Sequence, residues 1–200
     1  HLLRRQRQMC IRDSSNIGHD QIEDAEKRYD FYTTEEEKLP FDLEYFNKIT
    51  KGGLPNKTRN ICLAGTGVGK SLFMCHMASS ALMQNKNVLY ITLEMSEERI
   101  AERIDANILN IPMKELPDIS KKEYGKKIGR LKNKTKGKLI IKEYPTASAH
   151  VGHFRHVLQE LNIKKDFQPD IIFVDYLNIC ASQRIRPVSY THLRAHETVL

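Results

Sequence analysis

The sequence predicts an α/β fold in which helices cover a parallel sheet. Short apolar runs of strand length alternate along the chain with longer segments whose apolar residues recur at helical spacing. A glycine-rich stretch, residues 64–71, lies between an apolar run and a helical segment. Acidic residues follow two of the apolar runs, at Glu94 and Asp175, and open α/β sheets place their functional groups at such positions.

The N-terminal part of the chain is predicted to form a helical linker, residues 15–40, ahead of the main domain. This stretch is polar and acidic, and its few apolar residues are arranged as on one side of a helix. They are Ile22, Ala25, Tyr29 and Tyr32. The helix either packs on its own domain or docks on a neighbouring subunit, and the sequence leaves both interpretations open.

The main domain, residues 41–186, is predicted to contain four strands separated by helices. A short helix over residues 42–49 comes first. The apolar runs that predict strands are Arg59–Leu63, Asn87–Glu94, Lys138–Tyr144 and Asp170–Asp175. The predicted helices run from Lys70 to Leu82, from an N-cap at Ser96 through Ile108, and from Phe154 to Leu161. Strands that alternate with helices in this way favour parallel pairing through helical crossovers.

Both ends of the chain differ in pattern from the segment between them. Residues 1–14 and 187–200 resemble translated sequencing-adapter DNA, and we set them aside from the fold argument. The formal net charge of +7 then becomes +4, because residues 1–14 carry four arginines and one aspartate. A mildly basic domain is compatible with a nucleic-acid partner without establishing one.

The remaining cysteines and the hydropathy favour a cytosolic protein. Cys62, Cys75 and Cys180 are widely spaced in apolar segments, which predicts reduced thiols buried in the core. No apolar run reaches membrane-spanning length and no signal peptide is recognised, so we expect no membrane partner.

The glycine-rich stretch has the composition of a loop that binds nucleotide phosphates. Glycines let successive backbone N–H groups point inward at phosphate oxygens, and the following helix adds its positive dipole end. The lysine would contact the β- and γ-phosphates, and the serine hydroxyl would bind Mg²⁺. Alanine stands where the pattern usually begins with glycine. The stretch reads Ala64-Gly65-Thr66-Gly67-Val68-Gly69-Lys70-Ser71.

The acids at Asp175 and Glu94 complete this predicted ATP–Mg²⁺ site. Asp175 ends the run Ile171–Val174, where a carboxylate can hold the water shell of Mg²⁺ opposite Ser71. Glu94 ends the next strand after the loop, where a carboxylate can take a proton from the attacking water. We therefore predict Glu94 and Lys70 as catalytic residues, and Ser71 and Asp175 as magnesium-associated residues.

Several motifs of the main domain resemble those of the DnaB-like replicative DNA helicases, including members from T-even-type bacteriophages. The most specific are Glu94-Met95-Ser96 and Asp175-Tyr176-Leu177. Other stretches that carry the resemblance, which extends from about residue 24 to Arg186, are Asn47–Gly53, Gly67–Ser71, Val88–Met95, Arg103–Asn107 and Val174–Cys180.

The resemblance implies a RecA-like fold, a homohexameric ring, and ATP-driven 5′-to-3′ movement on single-stranded DNA in the cytoplasm of a phage-infected bacterium. It also implies a primase and a helicase loader as partners. The DNA-binding loops, the γ-phosphate sensor and the arginine finger of such helicases follow the Asp175-Tyr176-Leu177 motif. We therefore expect this chain to be the N-terminal part of a motor domain, inactive in unwinding by itself.

Two other functions remain open on the residues alone: a P-loop phosphotransferase, and a RecA-type recombination or regulatory module. The basic stretch Lys121–Lys138, which has one acidic residue, is interpreted as a solvated helix and loop, with phosphate-backbone binding as the alternative.

Overall fold

The computed structural model describes residues 20–33 and 37–181, which form two compact units. Of the described residues, the first unit comprises 20–33, 37–38 and 55–58, and the second comprises 39–54 and 59–181. The predicted adapter-like ends, residues 1–14 and 187–200, lie outside the described residues, and the proposed domain division stays a prediction.

The first unit contains helix α1 (Ala25–Thr33), which is shorter than the predicted linker helix. Asp20 lies just ahead of it, and its Oδ1 accepts hydrogen bonds from the backbone N–H groups of Ile22 and Glu23 at 2.8 Å each. Tyr29 and Tyr32 of α1 are largely exposed. Whether this helix docks on another subunit stays a prediction.

The second unit is built on a three-stranded parallel sheet. Its strands are β3 (Val88–Thr92), β4 (Leu139–Glu143) and β5 (Ile171–Asp175), in the order β4-β3-β5. Two shorter strands, β1 (Lys38–Leu39) and β2 (Leu54–Pro55), form a separate two-stranded sheet. Val88 faces Leu139 on one side and Ile171 on the other, which sets the register of all three strands.

The helices of the second unit follow the predicted order. They are α2 (Glu44–Ile49), α3 (Lys70–Met83), α4 (Glu97–Leu109), α5 (Lys121–Lys134) and α6 (Val151–Lys165). Single 3₁₀ turns occur at Leu116–Asp118 and Leu177–Ile179. Ser96 caps α4 as predicted, since its Oγ accepts the N–H of Arg99 at 3.3 Å, and this satisfies an otherwise unpaired amide of the first turn.

Strand β3 is buried along its whole length because helices cover both faces of the sheet. Val88 and Tyr90 point into a core with the apolar faces of α3 and α4, including Ala78 and Ile100. The alternate residues Leu89 and Ile91 point to the other face, where Val157, Leu161 and Phe167 cover them. This alternation gives the three-layer arrangement that continuous apolar strands in parallel sheets require.

The strand predicted at Arg59–Leu63 is wrong, because the segment is extended but pairs with no strand in the described part of the chain. Ile61 and Leu63 have 73% and 93% of their surface exposed. An apolar run becomes a buried strand only where a neighbouring strand and a covering layer accept it, and this segment has neither. Cys62 is therefore exposed rather than buried, whereas Cys75 is buried and Cys180 is partly buried.

Candidate nucleotide-binding site

The glycine-rich loop turns directly into α3, as the sequence predicts. Gly67 and Gly69 adopt φ angles of +76° and +102°, a region that L side chains rarely occupy. Gly69 is the N-cap residue of α3, and no side chain caps this end of the helix. The amides of its first turn are therefore left for a ligand, and the positive end of the helix dipole is directed at the same place.

The predicted phosphate-contacting residues lie at this junction. Gly65, Thr66, Gly67 and Val68 are exposed to solvent, and Lys70 and Ser71, the first two residues of α3, are partly buried. The Lys70 Nζ lies 5.4 Å from the centre of the Tyr176 ring, so the lysine points toward the end of β5. An exposed glycine loop next to a cation, a hydroxyl and a nearby carboxylate is a donor set that fits ATP with Mg²⁺.

Asp175 is the last residue of β5, at the carboxyl end where the sequence places it. Its side chain is 3% exposed, and its Oδ2 accepts a hydrogen bond of 2.9 Å from the hydroxyl of Tyr90. The backbone N–H of Leu93 donates to the carbonyl of Asp175 at 2.9 Å, which extends the β3–β5 ladder to this edge. One carboxylate oxygen is thus fixed by the protein.

Glu94 lies two residues beyond the end of β3, rather than within the strand as its predicted bounds implied. The strand stops at Thr92, where the hydroxyl donates to the carbonyl of Met95 at 2.8 Å and closes a turn. This turn exposes Glu94 at the carboxyl edge of the sheet. Thr92 is in register with Asp175 on the neighbouring parallel strand. The two predicted acids therefore lie at the same carboxyl edge of the sheet.

Tyr90 is a residue of this site that the sequence argument missed. It is completely buried, packs against Phe173 with ring centres 5.8 Å apart, and accepts a weak hydrogen bond from the Cys75 thiol at 3.8 Å. Burial, together with Cys75 and Asp175, raises the pKa of Tyr90 far above its ordinary value of 10.0. Burial likewise raises the pKa of the Cys75 thiol, so both groups stay protonated. A hydroxyl in an otherwise aliphatic buried strand was the available signal, since such a group needs a polar partner.

Comparison with known proteins identifies the family once this geometry is in place. The family described as DnaB-like helicase C terminal domain matches residues 39–195. The chain belongs to the DnaB-like helicase family.

Individual relatives agree with this assignment. The chain is 46% identical over 193 residues to a DnaB-like replicative helicase of Enterobacteria phage T4, a match that covers 94% of this chain and 41% of the phage protein. A solved structure of a DnaB-like replicative helicase, described together with its interactions with primase, superposes with a TM-score of 0.58 and 18% identity. That match covers 84% of this chain and 42% of the solved chain, so the chain spans less than half the length of both relatives.

The structural neighbour supports the RecA-like α/β fold that the sequence resemblance implied. Among the residues that the structure describes, no helix is both long and apolar enough to cross a membrane.

Proposed function

We propose that this chain forms the ATP-binding part of a replicative DNA helicase, which hydrolyses ATP to move 5′ to 3′ along single-stranded DNA. The observation that carries the proposal is the junction of the glycine loop with α3, directed at the end of β5 where Asp175 lies. Family membership does not favour a phosphotransferase or a recombination module. The same proposal includes assembly as a homohexamer and a primase and a helicase loader as partners. It places the protein in the cytoplasm of a phage-infected bacterium.

Each site residue has a role that its position permits. The backbone amides of residues 65–69 and Lys70 bind the phosphates, and Ser71 and Asp175 hold the cation, Asp175 through water. Mg²⁺ bound with ATP neutralises the negative charge of the phosphate groups. Exposed at the edge of the sheet, Glu94 takes the proton from the attacking water, a contribution of about 10²–10⁴ in rate.

Lys70→Ala tests the phosphate-binding role. We expect this variant to lose measurable binding of a fluorescent ATP analogue with Mg²⁺, because the loop loses its phosphate-directed cation. Lys114→Ala is the matched control, since Lys114 is an exposed lysine outside the site. Binding that survives equally in both variants contradicts the assignment of the loop.

Glu94→Gln separates catalysis from binding. The amide keeps the size of the side chain but does not accept the proton of water, so we expect ATP binding to be retained. In the complete helicase polypeptide, single-turnover hydrolysis should fall by about 10²–10⁴. Hydrolysis at the parental rate would assign the general base to another residue, and ATPase stimulation by single-stranded DNA would separate the motor from a phosphotransferase.

A further inference from the structure

The positive charge of this chain is concentrated in one short stretch. Residues 121–138 carry nine basic residues and one acidic residue, a net charge of +8, while the whole chain has a formal net charge of +7. The remaining residues, with 23 basic and 24 acidic side chains, therefore sum to −1. The weakly basic character inferred from composition is thus a local property of α5 and of the loop that joins it to β4.

Eight of these nine cations are exposed, and the described part of the chain does not neutralise them. Within the part of the chain that the structure describes, none of the nine forms an ion pair, whereas Lys27, Lys142 and Lys164 elsewhere each pair with a carboxylate. The exposed members are Lys121, Lys122, Lys126, Arg130, Lys132, Lys134, Lys136 and Lys138. Unpaired like charges in one segment repel one another and destabilise the free protein, and a polyanion would relieve that repulsion.

Helix α5 presents this charge on a regular helical surface that is joined to α4. Ser120 caps its first turn by accepting the N–H of Glu123 at 3.2 Å, and the hydroxyl of Tyr124 donates to Asp105 of α4 at 2.7 Å. Ile128 and Leu131 face inward, where they line a cavity of about 310 Å³ between α4, α5 and β4. The lysines therefore project from the side of the helix opposite to Ile128 and Leu131.

The shape of the outer face admits a long, continuous ligand. Helical spacing places Gly125 and Gly129 on the solvent side, between Lys132 and Lys126. A Cβ added at either glycine would meet nothing within 4 Å, so the backbone there is open to close approach. Tyr124 is the aromatic residue of this helix, and its hydroxyl is held by Asp105, so the helix does not offer the row of aromatic rings that stacks successive bases.

We propose that this surface, formed by the cations of residues 121–138, binds the phosphate backbone of DNA without reading its sequence. It lies beside β4, on the opposite edge of the sheet from β5 and Asp175, so it is separate from the nucleotide site. The proposed helicase function enters only in the choice of DNA as the ligand. Contacts to phosphates without base stacking predict affinity that depends steeply on salt and little on sequence.

The test measures binding of the 200-residue chain to a fluorescein-labelled single-stranded oligonucleotide of mixed sequence. Fluorescence anisotropy reports the binding, without ATP and at several KCl concentrations. The test variant is Lys122→Gln/Lys126→Gln/Arg130→Gln. The control, Lys48→Gln/Lys114→Gln/Lys165→Gln, removes the same charge from exposed residues outside this surface. Far-ultraviolet circular dichroism checks that both variants keep the parental helix content.

We expect the slope of log affinity against log salt concentration to become shallower by about 2 in the α5 variant, since each phosphate contact on a single strand contributes about 0.7. The affinity advantage of the parent over this variant should therefore shrink roughly 15-fold between about 50 and 200 mM KCl. Equal losses in the control variant would overturn the proposal, because they would reflect net charge alone. Equal binding to polyglutamate of matched charge would overturn it in favour of an acidic protein segment. Intact ATP-analogue binding in the same samples separates failure of this proposal from failure of the nucleotide site.

Discussion

The hydrogen bond between Tyr90 and Asp175 gives the sharpest test of how the site is supported by the core. Tyr90→Phe removes only the hydroxyl and keeps the ring that packs against Phe173. The tyrosine is completely buried and Asp175 is 3% exposed, so water does not readily replace the lost donor. Hydrogen bonds to charged groups contribute about 1.5–3 kcal/mol, and leaving the acceptor unpaired in a buried site places the expected cost at the upper end.

We therefore expect Tyr90→Phe to lower the free energy of unfolding by about 2–3 kcal/mol. For a domain of this size that corresponds to a fall in Tm of roughly 4–12 °C. The chain contains no tryptophan, so urea and thermal unfolding are best followed by circular dichroism. Weaker ATP–Mg²⁺ binding should accompany the loss of stability, because Asp175 is no longer held at Oδ2.

Tyr124→Phe is a matched control for the effect of burial. It removes a tyrosine–aspartate hydrogen bond of similar length, 2.7 Å against 2.9 Å, at a position where the tyrosine is 37% exposed. Water can solvate Asp105 after the substitution, so we expect a loss below about 1 kcal/mol. Equal effects of the two substitutions would refute the argument that the buried carboxylate depends on Tyr90.

Three further predictions concern backbone freedom and pH. Gly129→Ala should raise the free energy of unfolding by roughly 0.5–1 kcal/mol in urea titrations, because the added methyl meets nothing within 4 Å and alanine favours the helix. Gly53→Ala should instead destabilise, since its Cβ would lie 2.2 Å from the Leu39 carbonyl oxygen at a φ of +126°. The raised pKa of Tyr90 means that the unfolded chain releases this proton near pH 10.0 while the folded chain keeps it. The contribution of Tyr90 to stability is therefore complete below that pH and falls above it by up to about 1.4 kcal/mol per pH unit. Urea unfolding midpoints measured across this pH range should fall less steeply in Tyr90→Phe than in the parent.

The elements with strong local signals could be predicted from the sequence. The apolar run around β3, the serine cap at Ser96 and the glycine loop before α3 each contain the information for their own structure. Asp175 was placed correctly because an acid that ends a buried run lies at a sheet edge whatever the strand order is. These predictions depend on neighbours in sequence, which the chain itself supplies.

The errors arose where structure depends on partners distant in sequence. Arg59–Leu63 has the composition of a buried strand, but pairing and cover decide whether it forms one. Glu94 was predicted at the strand end, yet the Thr92–Met95 hydrogen bonds stop β3 earlier, and a threonine that closes a turn is not distinguishable by composition from one in a strand. The partnership of Tyr90 with Asp175 spans 85 residues, so no local pattern reveals it.

Helix α4 connects the two surfaces for which we propose ligands. It begins at its Ser96 cap, two residues after Glu94, and nine residues further on its Asp105 binds Tyr124 of α5. Its first turn is also tied to β4, since the N–H of Glu143 donates to the Glu97 carboxylate at 2.9 Å. A helix rises about 1.5 Å per residue, so Asp105 lies about 14 Å along the axis of α4 from its cap at Ser96. Within the described residues, the hydrogen bond between Tyr124 and Asp105 links α5 to α4, and Tyr124→Phe removes this link while leaving both proposed sites chemically intact.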